Sequence, residues 1–161
     1  MARVKLPSTP ALRLLRAHSA TFEVAAYTYV ERGGTAASSA ALGVDEHRVI
    51  KTLLFEDEDG HPLVILMHGD RSVSAKALAR LLGVKRVGPC APKVAQRHSG
   101  YPVGGTSPFG TRTSMPVYME SSIAALASLY INAGARGLLV RLAPQVIVEL
   151  LAPTLVEVGI P

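Results

Sequence analysis

Two apolar runs flank a four-residue polar reversal near the middle of the chain. Val49-Ile50-Lys51-Thr52-Leu53-Leu54-Phe55 comes first, Asp57-Glu58-Asp59-Gly60 turns, and Pro62 to Met67 follows. Each run has strand length and β-branched content, and the reversal is rich in turn formers, so the segment predicts an antiparallel hairpin. That one feature removes all-helical folds and argues against a purely parallel, doubly wound sheet.

Helix signals sit between further strand-like runs. Ser8-Thr9-Pro10 offers a hydroxyl cap and a first-turn proline ahead of a helix to about His18. Helices are also predicted over Thr35–Leu42, stopped by Gly43, over Ser74–Leu82, stopped by Gly83, over Pro92–His98 before Gly100, and over Pro144–Leu151. Strands are predicted at Phe22–Tyr29, Lys85–Val87, Val117–Met119, Ala127–Ile131, Gly137–Leu142 and Thr154–Val158, and a loop spans Tyr101–Gly110. This irregular interleaving predicts an α/β fold of the α+β type, a mixed sheet with helices around it. With 161 residues and no linker or repeat, the reading is one domain over 1–161. Hydrophobic residues reach 48% and aromatics only 5%, so the core must be aliphatic. One cysteine excludes an intrachain disulfide and a cysteine-based zinc site. The N-terminus lacks a signal-like apolar stretch, and no apolar run nears the roughly 20 residues of a membrane helix. A cytoplasmic protein without a membrane partner is expected.

Charge is unevenly placed. The net charge is +5, and no acid occurs between Asp70 and Glu120, where eight Lys and Arg residues lie, from Arg71 to Arg112. The first 22 residues also lack acids and hold Arg3, Lys5, Arg13 and Arg16. Half of the acids fall between Asp45 and Asp59. A field of one sign attracts polyanions, and ordinary surface solvation is the alternative.

Four features bear on chemistry. Lys51 shares a strand face with Val49, Leu53 and Phe55, so its ammonium must meet an anion, reach water or lose its proton. A charged edge residue that blocks aggregation is the structural alternative. Gly104-Gly105-Thr106-Ser107-Pro108-Phe109-Gly110 allows close backbone approach to a ligand, but it is neither a P-loop nor a dinucleotide fingerprint. Cys90 reads as a small buried hydrophobe. His18, His47, His61, His68 and His98 show no metal-binding spacing and read as surface or loop residues, with His98 next to the glycine loop. No metal or other cofactor is expected, and no serine-hydrolase elbow occurs.

The order of these pieces carries more. Lys51-Thr52 on a strand, then Tyr101-Pro102-Val103-Gly104-Gly105-Thr106-Ser107-Pro108-Phe109-Gly110, then Tyr130-Ile131-Asn132-Ala133-Gly134-Ala135-Arg136-Gly137 resembles the YbaK/ProX family of aminoacyl-tRNA deacylases. That family is related to the editing insertion of bacterial prolyl-tRNA synthetases. The resemblance runs over nearly the whole chain. It implies a strongly bent, barrel-like mixed sheet around a pocket, and hydrolysis of a mischarged aminoacyl ester, with cysteine on tRNA for proline the expected substrate. It implies Lys51 as the essential residue. Tyr27, Thr52, Gly104, Gly105, Thr106, Ser107, Pro108 and Asn132 are implied to hold the substrate end. Asn132 stands where cysteine-specific members often carry Ser, and Leu139 where they often carry an acid. The expected partners are the CCA end and acceptor stem of mischarged tRNA, and prolyl-tRNA synthetase. A deacylase for another amino acid such as alanine, and a non-catalytic tRNA- or synthetase-binding module, are the other readings. In the cysteine-specific subgroup the substrate's own thiol attacks its ester, which fits the lack of a triad here. The backbone N–H groups from Gly104 to Thr106 are the expected oxyanion donors.

Overall fold

The hairpin lies at the centre of the sheet. In the computed structural model, which describes residues 7–161, β2 (Val49–Asp57) and β3 (Pro62–His68) pair antiparallel from Ile50 opposite His68 to Glu56 opposite Pro62. Asp57 makes the reversal: its Oδ1 accepts the N–H groups of Asp59 and His61, both at 2.9 Å. Gly60 takes the left-handed conformation at φ +78° that closes the turn. Arg3 and Lys5 of the basic N-terminal stretch lie outside the described residues.

Around this hairpin, α1 (Pro10–Ala17) and β1 (Phe22–Ala26) precede α2 (Gly34–Leu42). After it come β4 (Ser72–Val73), α3 (Ala75–Leu82), β5 (Val87–Pro89), α4 (Pro92–Ser99) and β6 (Val117–Glu120). The chain ends with β7 (Leu129–Ala135), β8 (Leu138–Leu142), α5 (Pro144–Leu151), β9 (Thr154–Val156) and β10 (Gly159–Ile160). The main sheet runs β1-β8-β7-β2-β3-β6-β9 with β5 also on β2, while β4 and β10 form a separate pair. Pairing is mixed: β2 with β7, β3 with β6 and β6 with β9 are parallel. The α/β reading with a large mixed sheet and flanking helices is therefore what forms. The first helix starts as its sequence signal predicts, with Thr9 Oγ1 accepting from Leu12 N–H at 3.1 Å; Ser74, expected inside its helix, is instead the cap, its Oγ accepting from Ala77 N–H at 3.1 Å.

Four boundaries differ from expectation. β1 ends at Ala26, because its last partner is Leu138 at the start of β8; beyond it the chain leaves the sheet with Tyr27 to Tyr29. β7 continues past Ile131 to Ala135 despite a weakly β-forming Asn-Ala-Gly-Ala sequence, carried by pairing to β8 through an irregularity between Asn132 and Ala135. The expected Lys85–Val87 strand is β5, shifted to Val87–Pro89 by pairing with Asp57–Phe55. The expected Thr154–Val158 strand splits in two. Glu120, 7% exposed, accepts the N–H groups of Val158 and Gly159 at 2.7 and 2.8 Å, which bends the chain there.

Alternation along the strands sorts the core onto two faces. Ile50 and Leu54 of β2, Val64 and Leu66 of β3, and Ile131 and Val140 pack with Leu12, Leu15 and Ile147 of α1 and α5. Phe55, Leu63, Ile65 and Met67 pack on the other face with Leu78 and Ala79 of α3. Each fully buried aliphatic of this kind contributes about 1.5–3 kcal/mol. The second cluster covers only part of its face. Over β8, β7 and the first half of β2, that face is left to a cavity. Among the described residues no helix is long and apolar enough to cross a membrane.

Candidate active site

A gap in the strand pairing creates the cavity. β7 pairs with β2 only at Val49 and Ile50, and β5 takes up the same edge only from Phe55. Between them Leu54 O accepts the Cys90 N–H at 3.0 Å. Backbone groups alternate from edge to edge, so two residues earlier the Thr52 peptide groups face this gap without a ladder partner. The cavity of about 470 Å³ opens here, with Val49, Ile50, Leu53 and Leu139 on its apolar wall. Thr52 also lines it, and its Oγ1, on the strand face of Ile50 and Leu54, is the one buried side-chain N or O among the described residues that has no hydrogen-bond partner. Leaving such a group unsatisfied costs about 1–3 kcal/mol.

Lys51 lines the same cavity. Its stem lies on the strand face of Leu53 and Phe55, as the alternation predicted. Its ammonium donates to the backbone carbonyl of Arg71. Burial lowers its pKa below the ordinary lysine value, with Glu46 and then Asp70 opposing that shift. The 69–71 segment that holds it is itself fixed. Thr35 Oγ1 donates to Glu46 Oε2 at 2.8 Å and lies 3.2 Å from Gly69 O, and Gly69 N–H donates to Val49 O at 2.7 Å. Asp70 meets His47 Nδ1 at 2.9 Å.

The glycine loop forms the opposite wall. Tyr101 Oη donates to Phe109 O at 2.5 Å, and Ser107 Oγ accepts the Phe109 N–H at 3.2 Å. Ser107 is 0% exposed, and Gly105 and Pro108 are also buried. Of the loop residues implied by the resemblance, Gly104 and Thr106 line the cavity, whereas Gly105, Ser107 and Pro108 lie behind its wall. The Gly105 N–H is committed to Pro102 O at 2.9 Å, which corrects its expected place among the oxyanion donors. Gly104 has φ +86°, and a Cβ there would lie 2.6 Å from Tyr29 Oη. Gly105 sits against the Ala135–Arg136 backbone, where no Cβ fits.

Asn132 joins the two walls. Its Oδ1 accepts the Gly134 N–H at 2.8 Å and its Nδ2 donates to Gly104 O at 3.2 Å. Tyr27 lines the cavity with its phenol pushed up by burial and by neighbouring Tyr29, so it stays protonated. Sequence reasoning missed the rim. Arg136 donates from Nε to Val103 O at 2.9 Å and lies 5.4 Å from the Tyr29 ring centroid. Nothing in sequence signals that pair, since the two residues lie on separate elements brought together by the fold.

Two other readings meet the structure differently. Cys90 is half-buried beside the first core cluster, its thiol pushed up to about 11 by burial, and it does not line the cavity. His68 is not a surface residue: it is 0% exposed, with Nδ1 2.6 Å from His47 O and Nε2 2.7 Å from Ser122 Oγ. Its ring stacks on His47 at 3.7 Å between centroids, and burial lowers its pKa, which keeps it neutral. His98 contacts Thr113 and is not on the cavity wall.

Known proteins resemble this chain in sequence and fold. The aminoacyl-tRNA editing domain model matches residues 31–150. Over 143 residues the chain is 29% identical to the Enterococcus faecalis protein named "Putative Cys-tRNA(Pro)/Cys-tRNA(Cys) deacylase EbsC", covering 88% of this chain and 87% of that one. An 85-residue stretch is 34% identical to a proline–tRNA ligase of Nitratidesulfovibrio vulgaris, which is 53% of this chain and 15% of the ligase. The fold matches a solved structure titled "Crystal structure of a putative trans-editing enzyme for prolyl tRNA synthetase" with a TM-score of 0.82 at 20% identity, over 97% of this chain and all of that one. The chain thus belongs to the aminoacyl-tRNA editing domain family, and it is an aminoacyl-tRNA deacylase.

Proposed function

We propose that this chain acts in trans on tRNA for proline mischarged by its synthetase, with cysteine as the amino acid removed and the cytoplasm as its place of action. The observation that carries this is one cavity lined by Lys51, Thr52, Gly104 and Thr106. The CCA end of the tRNA enters as a single strand. Lys51 neutralises its terminal phosphate or holds the ester carbonyl; an ammonium positioned this way is an electrostatic group and not a base. The Thr52 peptide groups, which face the gap between β7 and β5, hydrogen-bond the substrate. The N–H groups of Gly104 and Thr106 receive the oxyanion of the tetrahedral intermediate. No residue of the chain is needed as nucleophile. The cysteinyl thiol attacks its own carbonyl, the C–S bond forms, the C–O bond to the ribose breaks, and the ribose oxygen leaves with a proton. Water then opens the thioester. A site shaped for this solves a sieve problem, since a synthetase pocket rejects a wrong amino acid of similar size only by a limited factor.

Leu139 on the cavity wall favours a second reading, a small apolar amino acid such as alanine cleaved by water. A panel of cysteinyl-, alanyl- and seryl-tRNA for proline, with an α-aminobutyryl analogue lacking the thiol, separates the two. The expected result is rapid loss of cysteine and little loss from the desthiol analogue. Equal rates on cysteine and its desthiol analogue would reject the thiol route, and preference for alanine would reject the cysteine assignment.

A pH prediction follows from the charges around Lys51. Glu46 favours the ammonium, and Gln in its place keeps an acceptor for Thr35. The charged form is lost as pH rises through the lowered pKa. Removing a nearby negative charge lowers that pKa further. Glu46→Gln should therefore move the alkaline fall in deacylation to lower pH, with the rate at the acid end retained. The measurement is a pH profile corrected for spontaneous ester hydrolysis; a limb moved upward or left in place would contradict the assignment.

A further inference from the structure

A second depression lies outside the cavity, between α3 and β5. It has a volume of about 420 Å³, a floor that includes Ala79 and Val87, and walls carrying Lys76, Arg80, Lys85 and Arg86. All four cations are exposed, and none has a carboxylate within 4 Å; among the described residues only Arg141 of the lysines and arginines forms an ion pair. Lys76 and Arg80 stand four residues apart on one helix face, roughly 6 Å along the axis. A like-charged pair at that spacing destabilises a helix, so stability does not explain it. The one acid in contact is Glu58, whose carboxylate accepts the backbone N–H groups of Lys85 and Arg86 at 3.2 and 3.4 Å and leaves their side chains free.

We propose that this groove docks the phosphate backbone of the tRNA acceptor stem, an inference that rests on the deacylase reading of the cavity. The placement gives the stem a direction. α3 packs on the sheet face that carries Lys51, through Phe55, Leu78 and Ala79. Arg71, whose carbonyl holds the Lys51 ammonium, lies three residues before the Ser74 cap of α3. A strand leaving the groove toward the helix start passes Arg71 and reaches the cavity. In the other direction Glu56, Asp57 and Glu58 line the adjoining depression and repel phosphate. The stem therefore runs from Arg86 and Lys85 along Arg80 and Lys76, and its single-stranded end continues past Arg71.

The test uses uncharged tRNA, an RNA hairpin that copies the acceptor stem, and an aminoacylated CCA trinucleotide too short to reach the groove. For Lys76→Gln/Arg80→Gln, the Kd for the hairpin and the tRNA should rise tenfold or more. The slope of log K against log salt should become shallower by about 1.5. Deacylation of the trinucleotide should be unchanged. Lys93→Gln/Arg97→Gln, which removes two cations of α4 outside the groove, should leave binding as in the parent. Unchanged Kd and salt slope in the groove variant would overturn the proposal, as would an equal loss on the trinucleotide. A polyglutamate peptide bound as tightly as the hairpin at the same salt would assign the groove to an acidic protein instead. Should the parent protein hydrolyse no aminoacyl-tRNA while the groove variant still loses hairpin binding, the docking site stands and the substrate reading fails.

Discussion

Replacing Lys51 with alanine is expected to slow deacylation by about 10²–10³-fold while the protein stays folded. The size follows from what the ammonium does. In a cavity with an apolar wall, a fixed positive charge at the terminal phosphate or carbonyl is screened far less than in water, and the other cations that line the cavity, Arg32 and Arg136, do not lie on β2. The fold survives because Lys51 is only partly buried and its one hydrogen bond is to a carbonyl at the protein surface. Loss of its stem should cost within about 1 kcal/mol, which moves the melting temperature of a chain this size by a few degrees. Lys51→Met keeps most of the stem and removes the charge, so it should lose as much activity as alanine with a smaller thermal shift. Lys51→Arg keeps the charge in a planar, longer group and should recover only part of the rate. Single-turnover hydrolysis of charged tRNA and a thermal melt of each variant decide the matter. A methionine variant at full rate would remove the electrostatic role.

What the sequence made readable is local. The Asp57–Gly60 reversal, the hydroxyl cap at Thr9 and the glycine stops depend on neighbours within four residues, and all form as read. Strand alternation also placed Lys51 with Leu53 and Phe55, because side-chain direction on a strand is a backbone property. The departures are long-range. Propensity ends β7 at Ile131, yet pairing to β8 carries it to Ala135 and so brings Asn132 against Gly104. The break between β9 and β10 is set by a carboxylate 38 residues away at Glu120. The Gly104–Thr106 loop looked like three equivalent donors, but a local turn to Pro102 takes one of them. The Arg136–Tyr29 rim and the buried His68 exist only once separate elements are packed together.

Gly69 offers the second large effect, since it couples stability to the position of Lys51, the lysine proposed to hold the substrate. A Cβ at this residue would lie 2.7 Å from Thr35 Oγ1, 2.7 Å from Val49 O and 2.8 Å from Glu46 O. Two of the three obstacles are backbone atoms of β2 and of the turn before it, which cannot rotate away. Gly69→Ala must therefore push the 69–71 segment outward and carry the Arg71 carbonyl off the Lys51 ammonium. Overpacking of this kind costs about 1–3 kcal/mol and should lower the melting temperature by several degrees. The rate should fall further than the stability loss explains, by about 10²-fold, because a displacement near 1 Å at a positioned group has that effect. Thr35→Ala removes only the side-chain obstacle, so the double variant should remain slow. Two results would undo this account: a Gly69→Ala enzyme with the parent rate, or full rescue by Thr35→Ala, which would place the constraint in the threonine hydroxyl and leave the backbone contacts without consequence.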